Sequence, residues 1–158
     1  MKYNFIKESI KHMKETAKNL IRIVEESNNV LNDISQEDWL KSSAPGKWTK
    51  KEILGHLIDS AANNHQRFIR VQYDDNRAIT YDQDKWVAAE KFTNASTENL
   101  INLWQSYNKH LAHIISVFPK DKNKNLCNIG KEEPVTVEWL IKDYVRHLEH
   151  HLNQIISN

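Results

Sequence analysis

The period of its apolar residues constrains this chain most. They return at alternating steps of three and four over long stretches, as one face of an α-helix requires. In the first stretch Ile6, Ile10, Met13, Ala17, Leu20, Val24 and Leu31 keep that rhythm, predicting an amphipathic helix from about residue 2 to 30. A short helical turn is expected around the sequence SQEDWL, after which Pro45 and Gly46 interrupt regular structure. Thr49 and Glu52 form a Thr-x-x-Glu capping box, so a second long helix should begin there and run to about Val71. A third begins near Ser96 or Thr97, carries Leu100, Leu103, Trp104, Tyr107, Leu111, Ile114, Ile115 and Phe118 on its apolar face, and stops at Pro119. The fourth is capped by Thr136, with Val135 and Leu140 at the positions of a hydrophobic staple, and reaches about Ile156. Only three glycines and three prolines punctuate 158 residues, which leaves little turn chemistry for a β-rich fold. The expectation is a single all-α domain, a four-helix bundle over residues 1–158, with residues 73–95 as a long connection.

Several function classes are excluded at this stage. No run approaches the roughly 18 apolar residues of a membrane span, and the charged N-terminus lacks the apolar core of a signal peptide, so a cytoplasmic location is expected. Lys and Arg number 22 against 21 Asp and Glu, mixed along the chain, so no basic stripe is offered to nucleic acid. Cys127 is the single cysteine, so a metal held by one chain would have to use imidazole and carboxylate.

The histidines supply that possibility. On the fourth helix His147 and His151 are four residues apart, inside or at the edge of the apolar stripe, so both rings face one side. An isolated pair of this kind more often hydrogen-bonds within a bundle. On the second helix, however, His56, Ser60, Asn63 and Arg67 form a polar line beside the apolar stripe, costly to bury unless satisfied or lining a cavity. At 1.5 Å per residue, His56 is about 10 Å from the start of its helix and the His147/His151 pair roughly 7–14 Å from the end of the other, so antiparallel packing brings the three to one level. Three imidazoles leave one position of a tetrahedral ion open, as in reactive rather than purely structural sites. His110 and His113 are alternatives three residues apart but read as surface residues; His12, His65 and His150 are expected on the surface too.

The stretch WTKKEILGHLIDS from Trp48 to Ser60, Arg67-Phe68, YDQDKW from Tyr81 to Trp86, and YVRHLEHH from Tyr144 to His151 together resemble the DinB-like superfamily over essentially the whole chain, most nearly its YfiT-like branch of metal-dependent hydrolases related to bacillithiol transferases. The resemblance implies an up-down-down-up bundle, often homodimeric, with a zinc or nickel ion on His56, His147 and His151 and water completing its shell. Ala61, Ala62 and His65 depart from that branch's pattern, which puts substrate contacts in doubt. With that topology the 73–95 connection arrives near the metal end. Tyr81, Asp82 and Trp86, with Trp39 and Trp48 from the first link, are then candidate walls of an entrance, and Ser60, Asn63 and Arg67 candidate pocket residues.

An ion with an open position can activate water or hold a thiol as thiolate. The expected function is therefore hydrolysis, or transfer of a low-molecular-weight thiol, on a small-molecule substrate. Asp59 is a candidate for orienting His56, or for pairing with Arg67 or a lysine. The competing expectation is a non-catalytic binding or stress-response bundle that the ion ties together.

Overall fold

The computed structural model describes residues 2–73 and 78–157, with side chains from residue 12 onward, so Ile6 and Ile10 of the first stripe lie outside the described side chains. The described residues form six α-helices: α1 (Lys2–Asp33), α2 (Gln36–Trp39), α3 (Lys50–Arg70), α4 (Gln83–Glu90), α5 (Thr97–Ser116) and α6 (Val137–Ser157). The four long ones, α1, α3, α5 and α6, build the bundle. α1 and α3 each pack on both α5 and α6, which puts α1 and α3 on one diagonal.

Cross-helix pairs fix the directions. Thr97 at the start of α5 donates to Gln36 just beyond α1, whereas Lys14 near the start of α1 borders Ser116 at the end of α5, so those two helices are antiparallel. Gly55 meets Phe92 before α5, and His65 meets Tyr107 and His110 within it, so α3 and α5 run parallel. His56 faces His151 while Phe68 faces Tyr144, so α3 and α6 are antiparallel. The order is up-down-down-up. A parallel α3–α5 pair needs a crossover as long as the bundle, and the chain after Tyr73 supplies it.

The caps work as local chemistry demands. Thr49 Oγ1 accepts from the Glu52 amide at 3.2 Å while the Thr49 amide donates to Glu52 Oε2 at 2.7 Å, closing both halves of the box that starts α3. Ser96 accepts from the Asn99 amide at the head of α5, and Thr136 from the Trp139 amide at the head of α6.

The core follows the stripes with one exception. Leu20, Val24 and Leu31 of α1, Leu54, Leu57 and Phe68 of α3, Trp104, Leu111 and Ile115 of α5, and Ile141, Leu148 and Ile155 of α6 are all buried. Leu103 is not: it is half exposed, because α5 turns Ile101, Trp104, Asn108 and Leu111 inward and leaves position 103 outside that arc. Asn108, fully buried, takes the core position instead. It accepts a 2.6 Å bond from the Tyr144 hydroxyl and donates to the Trp104 carbonyl, so its amide is satisfied without water.

Two links hold structure that the periodicity does not predict. The 73–95 connection contains α4, capped by Asp82, whose carboxylate accepts from the Lys85 amide, and ended by Lys91 in the left-handed conformation at φ 51°. A 3-10 turn, Phe92–Asn94, follows and buries Phe92 against α3. The link before α6 contains two short antiparallel strands, β1 (Leu126–Cys127) and β2 (Val135–Thr136). Asn125 beside β1 donates to the Val71 carbonyl at 2.8 Å and pins this link to the end of α3.

Candidate metal centre

The box at Thr49 sets where α3 begins, and with it the level of His56, which is 1% exposed. One turn apart on α6, His147 and His151 face it across the α3–α6 interface. Ring centroids lie 5.1 Å (His56–His147), 4.8 Å (His56–His151) and 4.5 Å (His147–His151) apart. One ligating nitrogen from each ring lies within 4.8 Å of the other two. The Trp48 ring, centred 5.0 Å from that of His56, covers the group on one side.

The donor set fits a divalent ion. Two nitrogens bound at about 2.05 Å in a tetrahedron stand about 3.3 Å apart, and His56 Nε2 and His147 Nε2 are separated by 3.2 Å. Burial depresses the basicity of all three rings. His56 is brought down to about 3 by desolvation and then by its two neighbours, His147 to about 4 by desolvation and then chiefly by His151, and His151 is lowered mainly by desolvation. They are therefore neutral near pH 7, the form that coordinates. His56 Nδ1 is buried with no hydrogen-bond partner among the described residues, while its Nε2 faces His147.

Gln154, which sequence reasoning missed, orients the third histidine. Its Oε1 lies 2.8 Å from His151 Nδ1; with the proton on Nδ1, His151 donates there and turns its bare Nε2 toward the other rings. Gln154 Nε2 also reaches His150 Nε2 at 3.2 Å, so the exposed His150 belongs to the same bonded chain although it points away from the centre. The available signal is spacing: residues 151 and 154 share a helix face.

The polar line on α3 divides. Asn63 donates back to the Asp59 carbonyl and Asn64 to the Ser60 carbonyl, both at 2.9 Å, while Arg67 reaches out of the helix to the Ile79 carbonyl at 3.1 Å. Ser60 Oγ accepts from Asn64 at 3.4 Å and lies beside the Tyr81 hydroxyl. Ser60, Asn63 and Arg67 thus meet the cost of burial by hydrogen bonding, and Arg67 fastens the crossover to α3. Tyr81 packs against Trp86 with ring centroids 5.2 Å apart, and Trp86 is 37% exposed.

Asp59 neither orients His56 nor pairs with Arg67. It is 3% exposed, lies beside Glu90 of α4 and keeps Oδ2 without a hydrogen-bond partner among the described residues; burial first, then that neighbouring carboxylate, pushes it up to about 7. Trp39 is also corrected: at 1% exposure it is core beneath α2 rather than a wall of an entrance. His65, expected to be exposed and without a partner, is half-buried; its Nδ1 is 3.2 Å from the Tyr107 hydroxyl and its ring lies against that of His110.

A cleft of about 590 Å³ opens beside His151 and Gln154, bordered by Trp48, Ile53 and the chain between Lys41 and Lys50 on one side and by Gln83 and Asp84 of α4 on the other. Of the three tryptophans considered for an entrance, Trp48 borders this cleft.

Comparison with known proteins agrees with this architecture. A protein of Oceanobacillus iheyensis, provisionally named a metal-dependent hydrolase, is 22% identical over 94% of this chain and 86% of its own length. YfiT of Bacillus subtilis, with the same provisional name, is 25% identical over 70% of this chain and 63% of its own. The solved structure of YfiT, described as an unusual four-helix bundle, superposes with a TM-score of 0.76 at 20% identity, covering 96% of this chain and 84% of that one. The family model of the DinB superfamily matches residues 19–155, and the chain belongs to that superfamily.

Proposed function

We propose that this protein is a metal-dependent enzyme acting on a small molecule, with His56, His147 and His151 holding a zinc or nickel ion. The observation that carries this reading is the meeting of three neutral imidazoles beside an open cleft, with His151 belonging to both. An ion held there would supply a Lewis acid with an open coordination position. The chain's own residues do the rest. Gln154 keeps the His151 ring in place, Trp48 excludes water from one side of His56, and the cleft admits the substrate to the remaining side.

Hydrolysis is supported by the provisional names of the relatives. Thiol transfer is the second reading, and the surroundings of the rings favour it. Of the carboxylates close to these histidines in sequence, Asp59 lies beside Glu90, Asp143 pairs with Arg146 and Glu149 borders a separate groove, so none of the three lines the cleft to serve as a general base for water. A thiol bound as thiolate needs no such base.

The test compares metal-free, zinc-loaded and nickel-loaded protein, and a His151→Ala variant, against model esters and against thiols paired with electrophiles. Turnover should depend on the ion and disappear in His151→Ala, while far-ultraviolet circular dichroism reports the helices retained. Equal product from the loaded wild type and the variant would refute metal catalysis. A centre that serves only to tie α3 to α6 would instead show a fall in melting temperature on chelation and no activity to lose.

A further inference from the structure

The cleft beside His151 is charged unevenly. Lys41, Lys47 and Lys50 line it, with Asp84 as the acidic residue of the lining. The lysines are not equivalent. Lys41 is already paired with Glu37 at 3.2 Å and Asp38 at 2.7 Å. The ammonium groups of Lys47 and Lys50 make no hydrogen bond or ion pair among the described residues, and Lys50 acts on Asp38 through its field alone.

The segment carrying them is held in shape. The Lys47 amide donates to the Ala44 carbonyl at 3.1 Å, the Lys50 amide to the Lys41 carbonyl at 3.0 Å, and Ser42 bridges to Thr49. Gly46 makes the turn at φ 76°, a conformation costly for other residues. Lys50 belongs to the first turn of α3, the helix that carries His56. Two cations without ion-pair partners among the described residues thus stand on a fixed frame in the lining of this cleft, where low-dielectric walls concentrate their field. Trp48 and Ile53 supply apolar wall in the same cleft, whose lining includes His151.

We propose that this cleft selects substrates bearing a carboxylate or phosphate, held by Lys47 and Lys50 while the uncharged part lies along Trp48 toward the three histidines. The inference rests on the metal-dependent reading above and adds the substrate class. Asp84 of α4 repels an anion from its own part of the lining, which favours placement of the anionic group at the lysines. An exposed lysine–anion pair changes affinity by at most about fivefold; two set a preference rather than the whole binding energy.

The experiment uses zinc-loaded protein and three hydroxamates of similar length, which chelate through the same group and differ in their tails: succinic monohydroxamate (anionic), butyrohydroxamate (neutral) and 4-aminobutyrohydroxamate (cationic). Calorimetry at low ionic strength should rank them anionic, neutral, cationic, with about fivefold or more between the first two, and the gap should narrow with salt. The Lys47→Ala/Lys50→Ala variant should bring the anionic probe to the affinity of the neutral one and leave the neutral one unchanged. Equal affinities in the wild type, or a preference that survives in the variant, would overturn the assignment. In metal-free protein, succinate should shift the backbone amide resonances of residues 46–50 in a salt-sensitive manner, and their failure to shift would overturn it independently of the ion. Protein that takes up no zinc while succinate still shifts those resonances would sink the metal-dependent reading and leave the anion site standing.

Discussion

Replacing Gly55 by alanine tests how the crossover is seated on α3. A methyl group at this position would overlap the Phe92 ring, far inside ordinary van der Waals contact, with no gap to receive it. Phe92 is 4% exposed, so the ring cannot swing aside into solvent without abandoning its burial. Overpacking of this kind costs about 1–3 kcal/mol, and complete ejection of the ring about 3–5 kcal/mol. Against this stands the gain from replacing glycine inside a helix, about 1 kcal/mol. The net expectation is a loss of about 2 kcal/mol. With a urea m-value of about 2 kcal/mol/M, the midpoint falls by about 1 M. Equilibrium urea unfolding of Gly55→Ala, Phe92→Ala and the double variant closes a cycle, in which the overlap predicts that Gly55→Ala costs little once the ring is gone. Because the Lys51 ammonium donates to the Thr93 carbonyl at 3.3 Å, displacement of Phe92 should also loosen that bond. A Gly55→Ala protein as stable as the wild type, or more so, would show that the close approach of Phe92 to α3 does not constrain this position.

Asp59 predicts a pH dependence. Its carboxyl is raised in the folded state from an ordinary 3.8 to about 7, so the folded protein carries a penalty that is absent below pH 4 and complete above about pH 7. Asp59→Asn should leave stability unchanged near about pH 4 and raise it by about 2–4 kcal/mol near about pH 8. The buried imidazoles bias the wild type the other way, since their lowered basicity contributes stability that is lost as pH falls below their ordinary value of 6.5, but this cancels in the difference between the two proteins. Urea unfolding of metal-free protein at the two pH values decides the matter, and a difference independent of pH would refute the buried acid. Gln154→Ala should weaken zinc binding by about 10–100-fold while leaving the three histidines in place; competition with a fluorescent chelator measures it, and an unchanged affinity would remove Gln154 from the proposed centre.

What could be read from the chain alone was whatever local rules govern. The apolar period and the caps locate the long helices, because a bundle helix must bury one stripe and satisfy its first amides whatever its neighbours do. α4 escaped because its eight residues, QDKWVAAE, bury little beyond Val87 and give no periodic stripe. Asp82, which caps it, is a residue type equally at home in an irregular polar link. Leu103 misled for the opposite reason: it is apolar and nearly in phase, and only the rotation of α5 that seats Asn108 against Tyr144 turns it outward.

The centre itself divides along the same line. His147 and His151 share a face by helical period, but their meeting with His56 depends on a packing that single-helix patterns do not contain. The same holds for Asp59, whose Glu90 neighbour comes from the crossover rather than from the helix carrying His56. The α3 polar line shows how far cost arguments go. Burying Ser60, Asn63 and Arg67 had to be compensated, and it is, but a sequence cannot say whether the compensation is a ligand, a cavity or the Ile79 carbonyl. His56 is where the distinction becomes useful. Unlike Asn63 and Arg67 it is buried with its Nε2 turned to another imidazole, that of His147 at 3.2 Å, rather than to a carbonyl. In a helix whose other buried amide and guanidinium groups are hydrogen-bonded, a ring left in that state beside two more neutral imidazoles is the position at which the fold leaves donor capacity for an ion.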